Sequence, residues 1–254
     1  MKNWYVNHDY LPDVKKDFSN FEKVLTLKSG EIISQSSIGY VIKYITQDHT
    51  FYIKVFLSRG KKWRKIFGRS RYHAEKDNLI FCKNLGINTP DIVAFGHQTK
   101  WWGLRFKMGI LVTAEVKKAV NFKEIALHHP DFFRQSQWRL ATLKQIATYV
   151  ALLHQRNFLH YDLQWRNILV TLQPTPQVYF FDMPSGRLYN FFLKYHLKRD
   201  FFNLYKSAIL FLSKTDQLRF YLYYKNQKSL SQEDKHLIKK WVSYYLHKEP
   251  PITC

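Results

Sequence analysis

Apolar and polar residues alternate along EIISQSSIGYVIKYITQDHTFYIKVFL, residues 31–57. The run is rich in Ile, Val, Tyr and Thr, and turn-forming residues interrupt it at Ser36–Gly39 and at Asp48–His49. A period of two in such residues predicts strands bounded by turns, and we read the whole of 21–57 in that way. Over residues 70–85 the texture becomes helical. Leu79, Ile80, Cys82 and Leu85 supply the apolar positions, and Gly86 follows as a stop signal. DIVAFG and GILVTAEV predict two more strands. Beyond about residue 120 the period of 3.6 dominates. WRLATLKQIATYVALLHQRN puts Leu143, Ile146, Ala147, Val150 and Leu153 on one face. Residues 199–224 read as helical. So does SQEDKHLIKKWVSYYL, with Ser231 as N-cap and Leu237, Ile238, Trp241, Val242 and Tyr245 as its stripe. QVYFFDM reads as a short buried strand between helices.

Strands with one helix, followed by a helical remainder, predict an α+β protein of two lobes. The expected division is a strand-rich lobe over 1–115 and a helical lobe over 116–254. A chain of 254 residues that is 46% hydrophobic and 17% aromatic can fill such a core, which excludes global disorder. No apolar run reaches the length of a membrane span, and MKNWYVNHDYLPDVKKD lacks the apolar centre of a secretion signal. Only Cys82 and Cys254 occur, so a disulfide framework is not expected and a reducing, cytoplasmic setting is. The formal charge of +21 asks for a polyanionic partner: an anionic membrane surface, a phosphorylated substrate or nucleic acid.

The candidate chemistry lies in FLHYDLQWRNILV, residues 158–170, which spaces His160, Asp162 and Asn167 as His-x-Asp-x-x-x-x-Asn. Asp182 ends the apolar run VYFF downstream. Phosphoryl transfer needs such a set: one carboxylate to align the acceptor hydroxyl and take its proton, and an amide oxygen with a second carboxylate to hold Mg²⁺. His160 reads as structural, with its ring bonded to nearby backbone. Upstream, FYIKVF sets Lys54 between apolar neighbours, where an ammonium wants a charged partner, and Glu75 in the next helix is the candidate. A strand lysine held by a helix glutamate on the nucleotide's α- and β-phosphates is the kinase arrangement. Lys54, Glu75, Asp162, Asn167 and Asp182 stand in kinase order.

FYIKVF, GRSRYHAEKDNLIFCKNLGINTPDIVAFG, ILVTAEV, LLHQRNFLHYDLQWRNILV, VYFFDMPSGRL and KRDFFNLYKSA together resemble the lipopolysaccharide core kinases, which phosphorylate heptose or 3-deoxy-manno-octulosonate (Kdo) on the lipid A–core acceptor. The resemblance spans roughly residues 50–210. It implies a protein-kinase-like fold, with an antiparallel-sheet N-lobe carrying one helix and a mainly helical C-lobe. It also implies ATP with Mg²⁺, a lipopolysaccharide core or lipid A–core acceptor, and work at the cytoplasmic face of a Gram-negative inner membrane. On this reading Asp162 is catalytic and Arg166 assists it. Lys54, Glu75, Gly39, Asn167 and Asp182 hold the nucleotide, and Asn167 and Asp182 hold the metal. Five features depart from regulated protein kinases. The phosphate loop SQSSIGYVIKY has one glycine, Gly39. Tyr161 stands where an arginine would grip a phosphorylated activation loop, and no Ala-Pro-Glu follows Asp182. DMP replaces Asp-Phe-Gly. Gln164 replaces a lysine, leaving Arg166 to supply positive charge. Arg187 suits either a surface charge or a reach toward substrate phosphate.

RGKKWRKIFGRSR, residues 59–71, carries seven Lys or Arg with Trp63, Ile66 and Phe67 between them and no acid. Such a run fits a solvated loop or a contact with anionic lipid; without a nucleic-acid module, nucleic acid ranks below both. A protein partner that stabilises this surface is a further candidate. The alternatives left open are a kinase of another small molecule or protein, and a non-catalytic nucleotide- or anion-binding protein.

Overall fold

The computed structural model describes residues 2–10, 14, 16–27, 29–58, 69–100, 105–189 and 193–248. Two compact units divide the chain, one of residues 1–84 and 88–117, the other of 85–87 and 118–254.

The first unit contains β1 (Lys2–Val6), α1 (Phe21–Leu25), β2 (Gly30–Ser36), β3 (Gly39–Ile45), β4 (Thr50–Leu57), α2 (Arg71–Asn84), β5 (Ile92–Lys100) and β6 (Arg105–Ala114). Six strands form one sheet in the order β1-β5-β6-β4-β3-β2, antiparallel at every pairing. Strand parity divides the labour of its two faces. Phe51, Ile53 and Val55 of β4 point into a core closed by Val14, Phe18, Phe21 and Val24 of the N-terminal segment. Lys54 and Phe56 point to the opposite face, where Phe56 meets Tyr72 of α2 edge to face. Residues 21–25 depart from the strand expectation. Asn20 Oδ1 accepts the Lys23 N–H at 3.0 Å and starts a helical turn there, with Phe21 and Val24 as its buried side.

The second unit contains β7 (Ala119–Asn121), α3 (Phe122–His128), α4 (Pro130–Arg134), α5 (Ser136–Gln155), β8 (Phe158–Leu159), β9 (Ile168–Thr171), β10 (Val178–Phe180), β11 (Arg187–Leu188), α6 (Leu193–Phe211), α7 (Lys214–Lys225) and α8 (Gln232–Lys248). Leu143, Ile146, Ala147, Val150 and Leu153 are buried along α5, as their spacing requires. The helix expected over 199–224 is two helices. Ser213 Oγ accepts the Asp216 N–H at 3.1 Å and starts α7. The cap at Ser231 is present, its Oγ accepting the Asp234 N–H at 3.0 Å. Three small strands pair as β10-β9-β7 and two as β11-β8. Most of the basic run 59–71 lies outside the described residues, as does Cys254. Cys82 is buried and in no disulfide, and burial pushes its pKa up to about 12, which keeps it protonated.

Candidate active site

In the first unit, Lys54 Nζ donates to Glu75 Oε1 at 2.9 Å and to Oε2 at 2.7 Å. Parity on β4 and the first turns of α2 bring them together. The glutamate is buried, whereas 28% of the lysine side chain remains exposed. The carboxylate is thus buried, and the lysine side chain that holds it is partly exposed. Gly39 ends the turn between β2 and β3. A Cβ there would sit 2.1 Å from the Val55 carbonyl oxygen, so β3 can approach β4 at this point only through a glycine. Sheet packing therefore already requires this glycine.

In the second unit, β9 and β10 form a hairpin with Phe180 opposite Ile168. One step further on, the Phe181 N–H donates to the Asn167 carbonyl at 3.3 Å. The hairpin thereby brings Asn167 and the start of the Asp182 turn to the same end of one ribbon, fifteen residues apart in sequence. Asn167 Nδ2 donates to the Asp162 carbonyl at 2.8 Å and to Asp162 Oδ2 at 3.1 Å. An amide has one oxygen, and with its nitrogen spent on Asp162 the Oδ1 is the end left for a cation. Gln164 Nε2 donates to Asp162 Oδ1 at 2.7 Å. Arg166, four residues on, places Nη2 3.5 Å from Asp162 Oδ2 with 58% of its side chain exposed. Each of the expected unit-2 residues except Asp182 thus touches Asp162 directly, and Asp182 reaches the same end of the hairpin.

Two loop residues hold left-handed backbone, Tyr161 at φ 66° and Asp182 at φ 53°. For a non-glycine residue that conformation costs roughly 1–2 kcal/mol and persists only where neighbours enforce it. Asp200 of α6 is the enforcer at Tyr161. It is fully buried. Its Oδ2 accepts the His160 N–H at 2.8 Å and its Oδ1 the Tyr161 N–H at 2.7 Å, while Asn203 Nδ2 donates to the Tyr161 carbonyl at 3.0 Å. Neither Asp200 nor Asn203 was singled out from the sequence. The signal was a lone acid leading into an apolar run, KRDFF, inside a helix whose core would reject an unpaired charge. The His160 ring bonds nearby backbone, as expected. Its Nδ1 accepts the Asp162 N–H at 3.4 Å, which places the neutral ring's proton on Nε2. Burial drives its pKa below the ordinary 6.5, against the opposing pull of Asp200, Asp162 and Asp182.

The helical unit also has a partly open apolar pocket of about 390 Å³, whose lining includes Phe122, Ile146, Trp165, Phe201, Leu204 and Trp241. Trp165 belongs to the Asp162 loop and packs at a tilt against Phe122 with centroids 4.4 Å apart, so the loop's apolar underside forms one wall.

No curated protein sequence matches the chain. Among solved structures, WaaP in complex with acyl carrier protein aligns over 97% of this chain and 97% of that one, with TM-score 0.73 and 17% identity. At that identity the likeness carries the fold, which is protein-kinase-like. The Lipopolysaccharide kinase (Kdo/WaaP) family matches residues 46–238, which takes in β4, α2, the Asp162 loop and Asp182. The chain belongs to the lipopolysaccharide kinase (Kdo/WaaP) family.

Proposed function

We propose that this kinase transfers the γ-phosphoryl group of ATP to a hydroxyl of an inner-core sugar, heptose or Kdo, of lipopolysaccharide. The observation that carries the reading is the Asp162 carboxylate. Gln164 and Asn167 fix both its oxygens, and Asn167 in turn shares a hairpin end with Asp182. Asp162 aligns the sugar hydroxyl and accepts its proton as the oxygen attacks the γ-phosphorus. The bond to the β–γ bridging oxygen breaks and ADP leaves. Gln164 and Asn167 keep the carboxylate in register, so that the transfer gains mainly from positioning. The exposed Arg166 guanidinium stabilises charge on the transferred group. Lys54, held by Glu75, neutralises the α- and β-phosphates, and the hairpin that ends at Gly39 covers them. Asn167 Oδ1 and the Asp182 carboxylate are hard oxygen donors, the kind and number that Mg²⁺ takes from protein when phosphates and water complete its shell. Bound there, Mg²⁺ would neutralise charge on the β- and γ-phosphates.

The acceptor places the work at the cytoplasmic face of the inner membrane. Among the described residues no helix is long and apolar enough to cross a membrane, and the net charge of +21 favours attachment to anionic lipid. Asp162→Ala should lower label transfer from ATP to purified lipid A–core by about 10²–10⁴-fold. Full activity in that variant overturns the assignment. Core oligosaccharide, protein and small-molecule acceptors assayed side by side separate this reading from a kinase of another substrate.

A protein partner belongs to the same reading. WaaP has been solved with acyl carrier protein, and the apolar pocket in the helical unit suits an acyl chain. Acylated carrier protein should raise the melting temperature of this chain and the unacylated form should not. Equal shifts from both forms would dismiss the pocket as the docking point.

A further inference from the structure

Tyr161 sits directly before Asp162, and its ring carries two guanidiniums. Arg187 Cζ lies 4.6 Å from the ring centroid and Arg199 Cζ lies 4.7 Å from it. Each is delivered by a fixed element. Arg187 begins β11 and pairs with Leu159 of β8, two residues before Tyr161. Arg199 stands on α6 beside Asp200, whose carboxylate holds the Tyr161 N–H. Arg187 also lies 5.5 Å from the Tyr189 centroid. The Tyr161, Tyr189 and His196 rings form one platform, with centroids 6.0, 4.8 and 6.4 Å apart.

Tyr161 is buried whereas both arginines are exposed. Stacking on the ring orders the two stems and leaves the N–H forks facing solvent. Among the described residues neither guanidinium has a carboxylate within ion-pair distance. Asp200, next to Arg199, is turned inward with both oxygens taken by backbone N–H groups. The guanidiniums lie 4.6 and 4.7 Å from the same ring centroid, so the two cations repel each other, and an anion that both forks reach relieves that repulsion while accepting bidentate hydrogen bonds. In this family's relatives among regulated kinases, an arginine at position 161 would serve a phosphate on the kinase itself. Here the position is a tyrosine, and the cations arrive from Arg187 and Arg199. The segment between Asp182 and α6 is short and is tied back at Tyr189, whose N–H donates to the Asn157 carbonyl at 2.8 Å. That leaves an anion on the substrate.

We propose that Arg187 and Arg199, seated on Tyr161, form the subsite that binds an anionic group of the sugar acceptor, a phosphate monoester or a sugar carboxylate. The inference rests on the acceptor class proposed above and adds the feature of the acceptor that is recognised. It explains how a loop with an open carboxylate selects one hydroxyl: the anion fixes the distance from the forks to Asp162, so only a hydroxyl at that span reaches the base.

Equilibrium binding of core oligosaccharide to the full chain, measured calorimetrically without ATP, tests it independently of catalysis. Arg187→Gln and Arg199→Gln should each weaken binding about tenfold or more, and the pair together should nearly abolish it. Arg187→Lys should recover part of the loss, since it keeps charge and loses the fork. Dephosphorylated and carboxyl-reduced oligosaccharides identify the source: whichever binds wild type as weakly as the full probe binds the double variant has lost the recognised anion. Equal binding by wild type and double variant, no binding by wild type, or full binding of both modified probes overturns the subsite. Failure of label transfer by a wild type that still binds condemns the kinase reading and leaves the subsite standing.

Discussion

The Lys54–Glu75 pair and the Asp162 loop are both charged groupings held in position, but by different means. The pair stands on regular elements. A strand and a helix set two side chains face to face, and a salt bridge joins them. The Asp162 loop stands on almost no regular backbone. Its neighbour Tyr161 is left-handed, its His160 ring is spent on an N–H, and the restraint comes from a carboxylate forty residues away on α6. A pair on regular elements can lose one partner and keep its backbone. A loop pinned at two N–H groups loses its shape with the pin.

Removing one support from each region breaks or sharpens that contrast. Asp200→Ala leaves two buried N–H groups without an acceptor and should cost about 3–5 kcal/mol, with label transfer falling in parallel as Tyr161 relaxes and Asp162 drifts. Lys54→Met leaves Glu75 buried without its ammonium. Because the lysine is partly solvated, that should cost less, about 1–3 kcal/mol, while activity still falls steeply. Urea unfolding of the two variants supplies the order. If Lys54→Met proves the more damaging to stability, the α6 carboxylate is not what shapes the loop.

The same contrast decides what was legible in the chain. Lys54 and Glu75 could be read because alternation and helical period place each on its element, and a lysine among apolar strand neighbours asks for a carboxylate. Asp162, Asn167 and Asp182 could be read from spacing, since a hairpin with apolar strands returns its two ends together. Asp200 could not be assigned, because its two shortest hydrogen bonds come from backbone N–H groups, which leave no mark in a sequence, and its side-chain contact, His154 at 3.4 Å, is remote in the chain. The helix at 21–25 was misread for a related reason. Five residues are too few to show a period, and the deciding signal was a single cap, Asn20. The break at Ser213 is of the same kind: the apolar pattern runs on through it, and only the Ser213–Asp216 cap marks the end of one helix and the start of the next. Long-period features announce themselves, whereas caps and pins act through one hydrogen bond each.

The smallest effect expected is a dependence on pH, and it separates the two units once more. His160 is fully buried with its pKa pushed below 6.5. His73 and His97, which touch with ring centroids 4.7 Å apart on the first unit, are also depressed, chiefly by burial. The cations around that pair, Lys76 and Arg69, add to the depression, while Asp77 opposes it at His73. At His160 the facing groups are all carboxylates, Asp200, Asp162 and Asp182, so burial alone keeps the ring neutral. Below pH 6.5 the unfolded chain takes protons that these folded rings refuse. Stability is therefore fully present above about pH 6.5 and declines as the pH falls, by at most about 1.4 kcal/mol per pH unit for each histidine. His160→Gln should flatten part of that decline in urea unfolding between pH 7 and 5, and His73→Gln another part. Protonating His160 also takes the Nδ1 lone pair from the Asp162 N–H. Label transfer in the wild type should thus fall with acid in step with the His160-dependent share of stability. His73→Gln should leave that acid limb of activity where it is, and a limb that moved with His73 instead would place the sensitive group in the first unit and not beside Asp162.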